Sequence, residues 1–318
     1  MTQSHPGIFL AKTQSRRALC REHFQVILAV DDFPSAVPGQ FLQVLCDTPR
    51  GSATTHPSVA RLPAADADKP EQNSTFTGLM LRRPFSIGGL RRDGTTSEIE
   101  LIGRVVGEGT AWLDALEPGD RVDVLGPLGR GFTPPPSGNK VLLLSGGVGL
   151  PPIRWWGRIL REQHRDCEII CGAQSRDTLP VRLCAEPAAE GEFGLCEEEF
   201  AAWGIPAMIT TDDGSCGLKG RVTDGLLRYF AHSAQPLRVS VYACGPLPML
   251  RAIASICAAH DVPCELAMER VMACGMGTCQ SCALPVRDDS EGAAWHYALC
   301  CTDGPVFDAS RVCWAELR

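Results

Sequence analysis

Residues 141–152, VLLLSGGVGLPP, run from an unbroken apolar stretch into three glycines. Consecutive aliphatic residues from Val141 to Leu144 suit a strand covered on both faces, whereas a half-exposed strand would alternate with polar residues. Gly146, Gly147 and Gly149 then turn the chain into a helix beginning near Pro152. Such a turn lets the backbone approach a pyrophosphate, and the helix N-terminus offers it unpaired N–H groups and a positive dipole end. The glycines fall short of a full G-x-G-x-x-G, and a lone glycine turn is often only a tight turn. A second glycine corner, Cys244-Gly245-Pro246-Leu247-Pro248-Met249, also follows an expected strand, at the edge where open α/β sheets gather ligands. Cys244 also fits as a small buried residue at a strand end.

Working outward, strands expected at 140–144, 168–171, 207–210, 239–243 and 265–268 alternate with helices near 152–160, 222–231 and 247–259. That alternation implies parallel strands with right-handed crossovers, an α/β doubly wound nucleotide domain. Upstream, between about 18 and 132, the apolar runs are short and often alternating: HFQVILAV, GQFLQVLC, IELIGRVV and DRVDVLG. They predict an antiparallel β-barrel. FTPPPSG at 132–138 is a stiff linker, so three domains are expected: 1–135 the barrel, 136–264 the nucleotide domain and 265–318 a small C-terminal domain. Residues 50–77, rich in Pro, Ala, Ser, Thr and Asp, are expected to be a surface insertion between two strands. The last fifty residues hold many Cys and Gly but too little apolar mass for a core, so something other than packing is expected to hold them.

A length of 318 residues accommodates several domains, and a net charge of −7 leaves no basic field for nucleic acid or an anionic membrane. No apolar run approaches the ~18 residues a membrane helix needs. The start of the chain lacks the apolar run of a signal peptide, so the sixteen Cys are expected to be thiols in a reducing cytoplasm. The Asn73-Ser74-Thr75 sequon is then a chance match. Where a dinucleotide fold often carries an acidic residue for the ribose, this chain has Cys171-Gly172-Ala173-Gln174-Ser175-Arg176. NAD and NADP both remain open, with Arg176 in reach of a 2′-phosphate.

ACGMGTCQSC at 273–282 places Cys274, Cys279 and Cys282 in a C-x4-C-x2-C array. Followed by a distant Cys, this is the spacing of plant-type [2Fe-2S] ligation. The glycines let the loop wrap closely with its amides turned toward sulfur, where N–H donors stabilise the reduced state. A structural zinc site prefers paired C-x2-C knuckles, and only one is present. Cys300, Cys301 and Cys313 are candidates for the fourth ligand, and chemistry alone does not choose among them.

Arg83-Pro84-Phe85-Ser86 ends an expected barrel strand, where Arg83 offers a diphosphate a bidentate fork and Ser86 a hydroxyl. Downstream, Gly107-Glu108-Gly109-Thr110 enters an apparent helix. This order, followed by the glycine turn at 146–149, resembles the ferredoxin-reductase-like flavoproteins and implies FAD on the barrel and nicotinamide on the second domain. The stretches 268–279, 301–307 (CTDGPVF), 211–220 (TDDGSCGLKG) and 125–132 (LGPLGRGF) further resemble the electron-transfer subunits of NAD-dependent dihydroorotate dehydrogenase. The resemblance implies that Cys274, Cys279, Cys282 and Cys301 ligate [2Fe-2S], with Cys300 a bystander. It implies FAD contacts from Arg83, Pro84, Phe85, Ser86, Ile102, Gly103, Arg104, Gly109 and Thr110, with NAD as co-substrate at Gly146, Gly147, Gly149, Cys244, Gly245 and Pro246. It also implies an FMN-containing catalytic subunit as partner, in a heterotetramer of two chains of each kind. Electrons from dihydroorotate would then pass through [2Fe-2S] and FAD to NAD+, in pyrimidine biosynthesis, and no residue of this chain would act as acid or base on dihydroorotate. Two features depart from the family pattern: Gly103 stands where an aromatic is usual, and the 50–77 insertion is longer than typical. Two further readings are a related flavin and iron–sulfur NAD(P)H reductase subunit for ferredoxin, sulfide or a bifurcating complex, and a non-catalytic zinc-binding module. Some relatives of the first kind carry Asp at the first loop position, and Cys274 favours the dihydroorotate branch.

Overall fold

The computed structural model describes residues 5–46, 81–233, 238–287 and 294–317, so the expected 50–77 insertion lies outside the described residues. Strands β1 (Gly7–Cys20), β2 (His23–Asp31), β3 (Phe41–Leu45), β4 (Arg83–Asp93), β5 (Thr96–Arg104) and β6 (Arg121–Leu128) form a closed barrel in the order β1-β2-β5-β4-β3-β6. Every pairing in it is antiparallel. Because side chains alternate along a strand, Val26, Leu28 and Val30 of β2 meet Leu42 and Val44 of β3, Ile99 and Leu101 of β5, and Val122 and Val124 of β6 in one core. Helix α1 (Glu108–Asp114) adds Leu113 to it.

The second domain contains β7 (Lys140–Gly146), α2 (Leu150–Glu162), β8 (Cys167–Ala173), α3 (Glu198–Ala202), β9 (Ala207–Thr211), β10 (Leu218–Lys219), α4 (Val222–His232), β11 (Val239–Cys244), α5 (Leu247–Ala259) and β12 (Cys264–Ala267). The strands pair in parallel as β10-β9-β8-β7-β11-β12. The four aliphatic residues of β7 divide by face: Val141 and Leu143 pack with Ile153, Trp156 and Leu160 of α2. Leu142 and Leu144 pack with Leu226 of α4 and with Leu250 and Ile253 of α5. Strand order reverses between β7 and β11, the switch point at which open α/β sheets form a crevice.

In the tail, β13 (Ala283–Arg287) pairs with β14 (Trp295–Leu299), and β15 (Val306–Asp308) joins the second domain's sheet antiparallel to β12. The expected division at 264/265 therefore falls inside β12. An unpaired edge strand leaves a row of N–H and C=O groups without partners, and the tail supplies them. Packing contributes to holding the tail as well: Leu284, Val286, Ala298 and Val312 share one core with Leu250 and Ile253 of α5. No helix of the described residues is long and apolar enough to cross a membrane.

Helix α2 fastens barrel to sheet. Its Arg154, 6% exposed, donates to Glu100 of β5 and to Glu199 of α3, and Glu100 also accepts from Gln25. Trp155 lies in the barrel core, while Trp156 meets Phe132 and Tyr242 with ring centroids 6.3 and 5.8 Å away. The Tyr242 hydroxyl donates to the Thr133 carbonyl at 2.8 Å. Removing one partner of a buried ion pair strands the other charge, so Arg154→Met should cost about 3–5 kcal/mol. Denaturant unfolding would measure this loss, and adding Glu100→Gln should recover most of it; no recovery would show that Arg154 acts through packing alone.

Candidate functional site

The two glycine corners meet. A Cβ on Gly149, the N-cap of α2, would run into the Cys244 carbonyl at the end of β11. Its φ of −71° is ordinary, so space rather than conformation demands glycine. Likewise, a Cβ on Gly146 would stand 3.2 Å from Pro246 Cδ, and one on Gly245 3.2 Å from the Gly146 nitrogen. Gly147, at φ +51°, has nothing within 4 Å of its Cβ position among the described residues, so the turn is open there. An open glycine backbone at a helix N-terminus and at a strand switch point fits a dinucleotide pyrophosphate. Low-dielectric surroundings, then the Glu269 carboxylate, push the Cys244 thiol up to about 12, so it is neutral.

On the barrel, the twin arginines separate in role. Arg82 pairs with the Asp123 carboxylate of β6 at 2.7 Å, while the Arg83 guanidinium donates to the carbonyls of Leu81 and Arg82 at 2.7 and 3.3 Å. Pro84, Phe85 and Ser86 follow along β4, paired with Gln43, Leu42 and Phe41 of β3, and the next residue, Ile87, pairs with Leu101 of β5, which runs on through Ile102, Gly103 and Arg104. Phe24 is directly opposite Gly103, and its ring lies 2.6 Å from where a Gly103 Cβ would be. Phe24, 0% exposed in the barrel core, thus fills the space a side chain at 103 would enter. Arg104 is held by Glu22 at 2.8 Å. Thr110 Oγ1 accepts from the backbone N–H groups of Val106 and Gly107 at the start of α1, and Gly109 is buried. Among the described residues the Arg83 guanidinium donates to backbone carbonyls, and with the Ser86 hydroxyl it offers donors of the kind FAD phosphates require, while the Thr110 hydroxyl donates to the Gly107 carbonyl and caps α1.

In the cysteine loop, Gly275 and Gly277 take φ of +74° and +86°, which lets the chain coil back on itself. The backbone N–H groups of Met276 and Cys279 both point at Cys274 Sγ at 3.4 Å. Exposed Cys279 is drawn down to about 6, first by hydrogen bonds from Ser281 and then by Cys274. The β13–β14 register, Ala283↔Leu299, brings Cys282 beside Cys300, whose N–H donates to the Cys282 carbonyl at 3.1 Å. Burial, then the neighbouring Cys282 thiol, pushes Cys301 up to about 12; the Gly277 N–H acts the other way, and Cys274 also raises it. Cys300, 0% exposed, is raised to about 12 by burial and then Cys282. Among the described residues no three His, Cys, Asp or Glu groups close on a single metal-ion position. The Cys279 N–H donates to Cys274 Sγ, and the Cys282 thiol neighbours both Cys300 and Cys301; a two-iron cluster takes two thiolates per iron. With glycine-turned N–H groups aimed at sulfur, the donor set fits [2Fe-2S].

The fold also gathers motifs far apart in sequence. A Cβ on Gly88 would meet Pro151 Cβ at 3.2 Å, so β4 abuts the nucleotide turn. A Cβ on Gly129 would lie 2.6 Å from the Gly304 carbonyl, joining LGPLGRGF to CTDGPVF. Sequence reasoning missed Gln43 of β3, which touches the cysteine loop: a Gly275 Cβ would stand 2.7 Å from Gln43 Cγ. Glutamine within an alternating strand carries no signal of that contact.

Residues 269–313 match the model of the iron–sulfur cluster binding domain of dihydroorotate dehydrogenase B, and residues 143–255 that of the oxidoreductase NAD-binding domain. The chain is 33% identical over 279 residues to the dihydroorotate dehydrogenase B (NAD(+)) electron transfer subunit of Desulforamulus reducens, covering 88% of this chain and 87% of the relative. The subunit of the same description from Bacillus caldolyticus is 38% identical over 236 residues, 73% of this chain and 80% of that one. Among solved structures, an NADH-dependent reduced ferredoxin-NADP oxidoreductase shares the fold with a TM-score of 0.71 at 23% identity, covering 96% of this chain and 91% of that chain. The ferredoxin reductase of a carbazole 1,9a-dioxygenase shares it with a TM-score of 0.57 at 19% identity, over 81% and 67%.

The contact between the corners is testable. Gly149→Ala should cost about 1–3 kcal/mol, the range for overpacking a filled site, measured by urea unfolding, and should weaken NAD+ binding because β11 must retreat. An unchanged unfolding midpoint would show that the corners are not pressed together.

Proposed function

The chain belongs to the family of dihydroorotate dehydrogenase B electron transfer subunits, and from that membership we propose that it conveys electrons from a dihydroorotate-oxidising catalytic subunit to NAD+ in pyrimidine biosynthesis. Bound FAD supplies exchange between two-electron hydride chemistry and one-electron transfer, and a [2Fe-2S] cluster supplies one-electron transfer alone. The observation that carries the reading is the glycine-turned loop of Cys274, Cys279 and Cys282, which aims N–H groups at the Cys274 sulfur and packs directly against the barrel at Gln43 and Leu128.

The chain's own residues bind, orient and tune. Cys274, Cys279, Cys282 and Cys301 hold the cluster, with the amides of Met276, Gly277 and Cys279 stabilising charge on sulfur. Arg83, Pro84, Phe85 and Ser86, with Ile102, Gly103, Arg104, Gly109 and Thr110, hold FAD. Gly146, Gly147 and Gly149, with Cys244, Gly245 and Pro246, hold the dinucleotide. Arg176 is paired with Glu186 at 2.8 Å, which supports a dinucleotide without a 2′-phosphate. The partner is an FMN-containing catalytic subunit, in an assembly of two chains of each kind. Val271 and Met276 on the cysteine loop are 82% and 57% exposed, apolar surface suited to a protein partner close to the cluster. None of the sixteen Cys forms a disulfide, which supports a reducing cytoplasm.

Anaerobic purification with the catalytic subunit should give flavin and iron–sulfur bands and NAD+-dependent oxidation of dihydroorotate in the mixture only. The same bands without that activity would transfer the chain to another electron donor, and a colourless zinc protein would end the flavoprotein reading. Cys301→Ser should abolish cluster absorbance while Cys300→Ser keeps it; the reverse pattern would move the fourth ligand to Cys300.

A further inference from the structure

Gln43 is 0% exposed, and among the described residues neither its Nε2 nor its Oε1 has a hydrogen-bond partner. Leaving a buried carboxamide unmatched costs about 1–3 kcal/mol, and native structures rarely tolerate it without a partner of another kind. Its neighbours in β3, Leu42 and Val44, face the barrel core, so Gln43 faces outward, toward the tail. There it meets the cysteine loop: Gln43 Nε2 lies 3.0 Å from the position of a Cβ on buried Gly275, the residue after Cys274. On the same strand, Gln43 pairs with Pro84 of the proposed FAD stretch.

We propose that Gln43 is the barrel's hydrogen-bond donor to the iron–sulfur cluster, its Nε2–H stabilising charge on the Cys274 side and raising the cluster's reduction potential. The inference rests on the cluster reading of the loop. Glutamine suits the role because its N–H donates to the more negative, reduced cluster without adding a charge of its own, and because burial between barrel and loop excludes competing water. A thiolate or sulfide acceptor is the partner that the unmatched Nε2–H lacks. Gly275 is then required twice, for its positive φ and because any side chain there would displace the carboxamide.

The test uses the full chain, purified anaerobically and loaded with both cofactors, as wild type, Gln43→Leu and Gln43→Glu. Reductive titration would follow the cluster by its electron paramagnetic resonance signal and the flavin by absorbance. Gln43→Leu should keep both cofactors and shift the cluster's reduction equilibrium about tenfold toward the oxidised form, which is about 59 mV for a one-electron couple, with the flavin couple unmoved. An unchanged cluster potential, or a shift confined to the flavin, overturns the proposal. Should Gln43→Leu fail to assemble, the similarly sized Gln43→Glu must show the downward shift. Failure of both variants to take up the cluster, with the wild type loading normally, would assign Gln43 a packing role. A wild type without any cluster would instead defeat the ligand assignment on which the inference rests.

Discussion

The structure depends on how closely two glycine corners cross at the centre of the sheet. Gly149 lies where a single added carbon would collide with the Cys244 carbonyl, so the β7 turn and the end of β11 share one small volume. That contact sets the direction of α2, and α2 carries much of what joins the barrel to the sheet. Pro151 abuts Gly88 of β4, Arg154 reaches Glu100, Trp155 enters the barrel core, and Trp156 meets Phe132 and Tyr242. A shift of one residue in this helix would move its apolar face by about 100° and disengage all of them.

The balance of forces across that seam is uneven. Burial of Trp155 and Trp156 is non-directional and tolerates small displacements, because it scales with area removed from water. The Arg154 contacts are directional and expensive to desolvate. The first sort holds the domains together and the second holds them at one angle. For an electron carrier the angle matters, since β4, which opens at Arg83, abuts the glycine turn through Gly88 and Pro151.

The tail completes the arrangement from the opposite edge. By adding β15 to β12 it covers an open sheet edge, and by lodging Gly304 and Pro305 against Gly129 it binds to the exit of the barrel. The cysteine loop is therefore not an appendage on a flexible stem. It is clamped between sheet and barrel, with Gly275 against Gln43 and Leu128.

The sequence by itself determined the local chemistry. Unbroken aliphatic runs read as doubly covered strands, alternating runs as a barrel, and C-x4-C-x2-C as an iron–sulfur loop, because each depends on neighbours within a few residues. The resemblance of short motifs extended that reading to the family. Only the tertiary structure decided what requires two distant segments: the fusion of β15 with β12, the meeting of LGPLGRGF with CTDGPVF, Phe24 filling the space over Gly103, and the engagement of Arg82 and Arg104 by Asp123 and Glu22. Gln43 is the sharpest case, since nothing in FLQVL distinguishes a buried, unmatched amide from a surface one. Burial and hydrogen-bond satisfaction are properties of packed pairs, and which pairs form is set by the global path of the chain, not by any window of it.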